Sequence, residues 1–152
     1  MDKPEWFYRQ SGVIPYRLRQ GGVEVLLITS RGQRRWVIPK GIVEPGWSPV
    51  DSAAREAWEE AGLRGRLRPQ AAGTFAYPKW GGECRVEVFL LQVEREDEDW
   101  PEAALRRRQW LSVEEAAGRV DEPQLRRLLE QLPDLLDPAA SLRGEIGREE
   151  SS

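Results

Sequence analysis

The sequence predicts an α/β (α+β) fold, a mixed β-sheet sandwiched between helices. Three observations predict it. Two apolar, β-branched runs, VEVLLIT (23–29) and CRVEVFLLQVE (84–94), read as the principal strands. Between them lies one sharply bounded helical stretch, 49–61. Amphipathic helical patterns close the chain.

Residues 1–8 read as a loose lead-in, and SGVIPYRL (11–18) as a first strand. Pro15 hints there at an edge or a bulge, because proline cannot donate to a ladder. The run 20–22 is a turn signal, so this strand and 23–29 pair as a hairpin. SRGQRR (30–35) is a basic loop before a short strand at 36–38, and Pro39 and Lys40 lead into a glycine-bounded loop. Ser48 suits the cap of the helix, Pro49 its first position, and Asp51 the third residue after the cap. Gly62 fits the left-handed residue that closes it. Val50, Ala53, Ala54, Ala57, Trp58 and Ala61 recur at helical spacing and form the expected core stripe. Residues 64–77 offer one or two short strands, best at 73–77. PKWGGE (78–83) is a turn with Gly81-Gly82 at its tip. EREDEDWPEAAL (94–105) reads as an acidic, solvated connection, and RRRQWL (106–111) as a returning strand. Ser112 and Glu115 compose a capping box over VEEAAGRV. A last helix over 123–132 carries Leu125, Leu128, Leu129 and Leu132 on one face. One domain over 1–136 is expected, followed by a polar tail over 137–152 without periodicity, expected to be disordered.

The composition excludes several functions. A formal charge of −3 argues against non-specific binding of a nucleic-acid polymer. Cys84 is the only cysteine, which removes an internal disulfide. No histidine is present, so His triads and His-held zinc are excluded. A metal would be held by oxygen, which favours Mg²⁺ or Mn²⁺. No run reaches transmembrane length, and a soluble, cytoplasmic protein without a membrane partner is expected, as a monomer or homodimer.

Glu56, Glu59 and Glu60 lie together beside the core stripe of the helix. Carboxylates that close repel one another, and a divalent cation relieves the repulsion. The stretch GIVEPGWSPVDSAAREAWEEAGL (41–63) resembles the Nudix box of the Nudix hydrolases, G-x5-E-x7-R-E-U-x-E-E-x-G-U, with U aliphatic. Gly41, Arg55, Glu56, Ala57, Glu59, Glu60, Gly62 and Leu63 match it. Trp47 stands where the first glutamate belongs. The resemblance implies the Nudix fold and hydrolysis of a nucleoside diphosphate linked to another moiety. It implies Glu56 and Glu60 as metal ligands, Glu59 as general base or further ligand, and the Lys40 main-chain carbonyl as completing the metal shell. It also implies that the missing glutamate would pair with Arg55. The run EDWPEAALRRRQW is similar to the diphosphoinositol and diadenosine polyphosphate hydrolase branch, although Gln10 stands where that branch suggests arginine.

Cations near the box are candidate phosphate contacts: Arg31 and Arg35 on the basic loop, the Lys40 ammonium, Arg106 and Lys79. Each is equally at home on an ordinary solvated surface. Trp80, beside Lys79, could stack on a base. The expected activity is Mg²⁺- or Mn²⁺-dependent cleavage of a phosphoanhydride in a nucleotide or other polyphosphate small molecule, dinucleoside polyphosphates first. Diphosphoinositol polyphosphates or nucleoside-diphosphate sugars are the alternative substrates. Trp47 keeps open a nucleotide sensor that does not turn over.

Overall fold

The computed structural model describes residues 3–137, so the tail expected over 137–152 lies, beyond Asp137, outside the described residues. After a 3-10 turn at Glu5–Tyr8 come β1 (Arg9–Arg19), β2 (Gly22–Thr29), β3 (Trp36–Val37), β4 (Lys40–Ile42) and α1 (Pro49–Ala61). They are followed by β5 (Leu63–Leu67), β6 (Gly73–Lys79), β7 (Gly82–Glu96), β8 (Arg108–Ser112), α2 (Val113–Arg119) and α3 (Pro123–Leu136). The strands form one mixed sheet, with β1 and β7 running parallel at its centre.

Both faces of the sheet are covered, which is why β1, β2 and β7 carry unbroken apolar stretches at 13–14, 25–28 and 88–91. Val13, Leu26, Ile28, Phe89 and Leu91 point towards Ala53, Ala57 and Ala61 of α1. Their neighbours Ile14, Val25, Leu27, Val88 and Leu90 point the other way, to α2 and α3. The alternation of side chains along each strand divides them between the two cores.

A wedge in the sheet makes room for the site. β1 and β2 pair from Tyr16↔Val25 to Arg19↔Gly22 and then diverge. β3 joins β2 at Ile28↔Val37, and β4 joins β1 at Gly12↔Lys40. Ile28 also pairs with Arg108 on its other side, so β3 and β4 fill the gap between β1 and β2. Pro15 is therefore not at a sheet edge. The Val13 N–H donates to the Pro39 carbonyl, so the Pro15 nitrogen, two residues on, faces the same gap. There β1 has left β4 and not yet met β2, and no ladder bond is lost.

Other elements differ in detail from expectation. The β6–β7 turn has Trp80-Gly81 at its tip, since Lys79 pairs with Gly82 and both tip residues have positive φ. β8 begins at Arg108, leaving Arg106 and Arg107 ahead of it. On α1, Ala54 is exposed while Ser52, Glu56 and Glu60 are buried. The buried face is rotated towards β4, because the small side chains of Ala53, Ala57 and Ala61 let the helix settle low on the sheet.

Candidate active site

Local sequence builds α1 as expected. The Asp51 N–H donates to Ser48 Oγ (3.1 Å), Pro49 occupies the first turn, and Gly62 closes the helix at φ +68°. This frame directs Glu56 and Glu60, one turn apart, at β4. Both are only 8 % exposed. The Lys40 N–H donates to Glu60 Oε1 (3.1 Å), and Arg106 Nη2 lies 3.4 Å from Glu60 Oε2. Gly41 has no positive φ among the described residues, so its glycine is needed for space. A Cβ at that position would overlap the Glu56 carboxyl carbon and Oε1, and lie 2.8 Å from Oε2.

Burial dominates the charge state of this pair. It pushes Glu60 up to about 8, against the lowering pull of Arg106 and with a further rise from Glu56. Glu56 is raised as well, first by burial and then by Glu59, while Arg55 lowers it. Two desolvated carboxylates in contact are an electrostatic debt that a cation would relieve. Glu59 lies further out, with Arg55 Nε 3.7 Å from its Oε1.

The acidic segment before β8 is largely exposed, as a solvated connection should be, and it has a second role as well. It satisfies the last carbonyls of α1 one after another. The Glu102 N–H donates to Glu59 O (3.1 Å), Trp100 Nε1 to Glu60 O (3.0 Å), Arg108 Nη1 to Ala61 O (2.7 Å) and the Asp97 N–H to Gly62 O (2.8 Å). A helix end otherwise leaves these acceptors without partners. Arg108 also donates from Nη2 to Asp97 O (2.6 Å), and its guanidinium stacks 4.1 Å over the Trp100 ring. Asp97 is tied in turn to Arg64, Arg95 and the Trp58 indole, and these contacts hold its carboxyl below the usual range.

A cleft of about 430 Å³ opens at the wedge. Arg31 and Arg35 line it from the basic loop, Lys40 from β4, and Lys79 and Trp80 from the β6–β7 turn. Glu60 and Arg106 form part of its wall. The structure thus gathers all five predicted cationic contacts around one acidic helix face. Arg106 differs from the rest: its side chain is 8 % exposed, Nε donates to Glu102 (2.9 Å) and Nη1 to Thr29 O (3.0 Å). Every nitrogen of its guanidinium is directed at protein, so its geometry orients Glu60. Arg31 stands 3.5 Å from the same Glu102. Below, Lys40 Nζ donates to the Tyr77 hydroxyl (3.3 Å), which donates to Gln10 Oε1 (2.8 Å). Burial lowers the Lys40 pKa, only partly offset by Glu60. Glu102 and Tyr77 escaped sequence reading. Glu102 had one available signal, its position four residues before Arg106.

The model of the NUDIX domain matches residues 8–132. The chain belongs to the Nudix hydrolase family. It is 33% identical to Nudix hydrolase 12, mitochondrial, of Arabidopsis thaliana, over 89% of this chain and 77% of that protein. Identity to the Mus musculus diphosphoinositol polyphosphate phosphohydrolase 3-alpha is also 33%, over 74% of this chain and 69% of the relative. Among solved structures, a C. elegans Ap4A hydrolase superposes with a TM-score of 0.70 at 25% identity, covering 85% of this chain and 98% of that one. The mixed sheet and flanking helices are those of the Nudix fold.

Nudix hydrolases generally use divalent metal ions, and the oxygens here fit one. Glu56 and Glu60 are buried carboxylates with raised pKa values, and the ladder brings in a neutral oxygen donor as well. The Val13 N–H bonds to Pro39 O and the Val43 N–H to Arg9 O, so the Gly12–Lys40 pair between them is a non-hydrogen-bonded one. The N–H and carbonyl of Lys40 therefore both face away from β1, on the side where Glu60 receives that N–H. All three donors are hard oxygens. Among the described residues no three acidic or cysteine side chains already converge as a ligand cage. Arg106 and Arg55 instead lie beside these carboxylates. A second hollow, about 520 Å³, lies between α1 and β5, lined by Trp58, Leu67 and Arg64 among others. It contains no carboxylate and so does not match the chemistry of the box.

Proposed function

We propose that this Nudix hydrolase cleaves a phosphoanhydride bond of a dinucleoside polyphosphate with Mg²⁺ or Mn²⁺ held by Glu56, Glu60 and the Lys40 carbonyl. One observation carries the reading. Glu60 of the buried carboxylate pair lines a cleft that is also lined by five cations and an indole. A polyphosphate chain matches the cations, and a base matches Trp80. Phe7 and Tyr8 brace that ring edge-on at 5.5 and 6.0 Å, and the Tyr8 hydroxyl donates to the Trp80 carbonyl (2.8 Å).

Pyrophosphate resists hydrolysis because its oxygens repel a nucleophile. The metal, when bound, supplies charge neutralisation and a more acidic water. Lys40, Arg31, Arg35 and Lys79 neutralise and align the phosphates further from the scissile bond. Arg106 and the Lys40 N–H hold Glu60 in place. To Glu59, the most exposed of the three box glutamates, we assign the removal of the proton from the attacking water. The named activities of the relatives make diphosphoinositol polyphosphates the rival substrate. Gln10, neutral on the cleft floor, weighs against so dense an anion.

A substrate panel tests the proposal. Diadenosine polyphosphates, a diphosphoinositol polyphosphate and nucleoside-diphosphate sugars are incubated with Mg²⁺ or Mn²⁺, and products are resolved by anion-exchange chromatography. The expected result is fastest cleavage of a dinucleoside polyphosphate, lost in Glu60→Gln. Faster cleavage of the inositol compound, or no cleavage of any, refutes it.

A further inference from the structure

We propose that Glu44 and Trp47 together position Arg55, and so replace the glutamate that the box lacks at position 47. The inference rests on the metal reading of Glu56 and Glu60. It begins with a turn. In Glu44-Pro45-Gly46-Trp47 the Trp47 N–H donates to the Glu44 carbonyl (3.1 Å), and Gly46 has φ +88°. Proline at the second position and a left-handed glycine at the third define a type II turn. Its first and last residues meet over one guanidinium. Arg55 Nη2 lies 3.5 Å from Glu44 Oε1, and the guanidinium carbon lies 4.5 Å over the Trp47 ring.

That placement matters because Arg55 borders the same carboxylates a metal would need. Nη2 is 3.8 Å from Glu56 Oε1 and Nε is 3.7 Å from Glu59 Oε1. Nε is buried and makes no hydrogen bond. The guanidinium stands at ion-pair distance from Glu44, Glu56 and Glu59, nearest to Glu44, and makes no hydrogen bond to any of them. Released from the turn, it would close on the oxygens of Glu56 and Glu59 and compete with a divalent cation. Glu44 supplies the opposing charge and Trp47 a flat surface that holds a cation by its ring face. This also accounts for the exposure of Trp47 (42 %), since a ring acting as a lid over arginine must lie on the surface.

The test moves the carboxylate between the two positions. Mn²⁺ binding is measured by electron paramagnetic resonance, without substrate, for the full chain and for Glu44→Gln, Trp47→Glu and the double variant. Metal-free melting temperatures check the fold. Glu44→Gln is expected to weaken Mn²⁺ binding about tenfold, the range for groups that orient metal ligands. The double variant, with its carboxylate at 47, is expected to return to within about threefold of the parent, and Trp47→Glu alone to bind no more than about threefold tighter. With a cleaved polyphosphate, the loss in Glu44→Gln falls on kcat at limiting Mn²⁺ and leaves KM for the polyphosphate unchanged. Unaltered binding in Glu44→Gln, no recovery in the double variant, or tenfold tighter binding in Trp47→Glu alone overturns the proposal. If the parent binds Mn²⁺ but cleaves no polyphosphate, the hydrolytic reading fails and the binding series still decides this one. If the parent binds no Mn²⁺, both fall.

Discussion

Replacing Gly41 with alanine isolates the geometry of the carboxylate site from its charge. The substitution adds one methyl group and no polarity. Gly41 sits in β4 without a positive φ among the described residues, so the backbone accepts alanine. Reduced freedom of the unfolded chain then favours the variant by roughly 0.4–1 kcal/mol. The methyl group, however, occupies the place of the Glu56 carboxylate, overlapping its carbon and lying 2.8 Å from Oε2. That side chain is buried and must leave its position, at about 0.5–1.5 kcal/mol for a distorted rotamer. The two terms nearly cancel, so stability in urea should change by less than about 1 kcal/mol. Function should not be spared. A ligand displaced by about 1 Å costs on the order of 100-fold in rate, and Mn²⁺ affinity should fall with it. Gly118→Ala is the control, with nothing within 4 Å of its added methyl group. It should stabilise α2 by about 1 kcal/mol and leave turnover unchanged. The measurements are urea denaturation, Mn²⁺ titration and phosphate-product release. If Gly41→Ala retains turnover within about twofold, against the 100-fold loss worked above, the seating of Glu56 against Gly41 is not what the box glycine provides.

Two further outcomes are expected. Glu60 is raised from 4.5 to about 8 and Glu56 in the same direction; a raised folded pKa stabilises while protonated, so metal-free stability should be fully present below pH 4.5 and decline as pH approaches 8. Melting in chelator between pH 5 and 8 checks this, and a flat or rising midpoint refutes it; saturating Mn²⁺ should reverse the trend. Arg108→Met removes two charge-assisted bonds to carbonyls and one stacked ring, and should destabilise the protein by about 2–4 kcal/mol in urea, with a loss below about 1 kcal/mol refuting the capping role.

What the sequence revealed follows the range of the interactions. The start and stop of α1 depend on neighbours within a turn, so Ser48, Pro49 and Gly62 announced them. The two apolar strand runs were equally plain, because burial on both faces leaves their middles, 25–28 and 88–91, wholly apolar. The strand at β3 was legible, but β4 and the wedge the two strands make were not, since their pairing is defined by partners far along the chain. The acidic run is exposed as its charges suggest, but its capping role was hidden, because that is done by main-chain N–H groups and the Trp100 indole, which carry no charge pattern. Of Arg106 to Arg108 the sequence favoured Arg106 as a phosphate contact, yet Arg106 braces Glu60 and Arg108 caps a helix. Trp47 marked a departure from the box, but only the turn at Pro45-Gly46 brings Glu44 to Arg55.

The succession of bonds from Asp97, Trp100, Glu102 and Arg108 to α1 has a consequence for engineering. Arg106, which lines the cleft, and the residues that seal α1 lie along the same short stretch. A loop grafted between β7 and β8 to change specificity would carry its new contacts in and the old seals out. Transplants here should be designed in register with four donors, and should keep the four-residue spacing of Glu102 and Arg106.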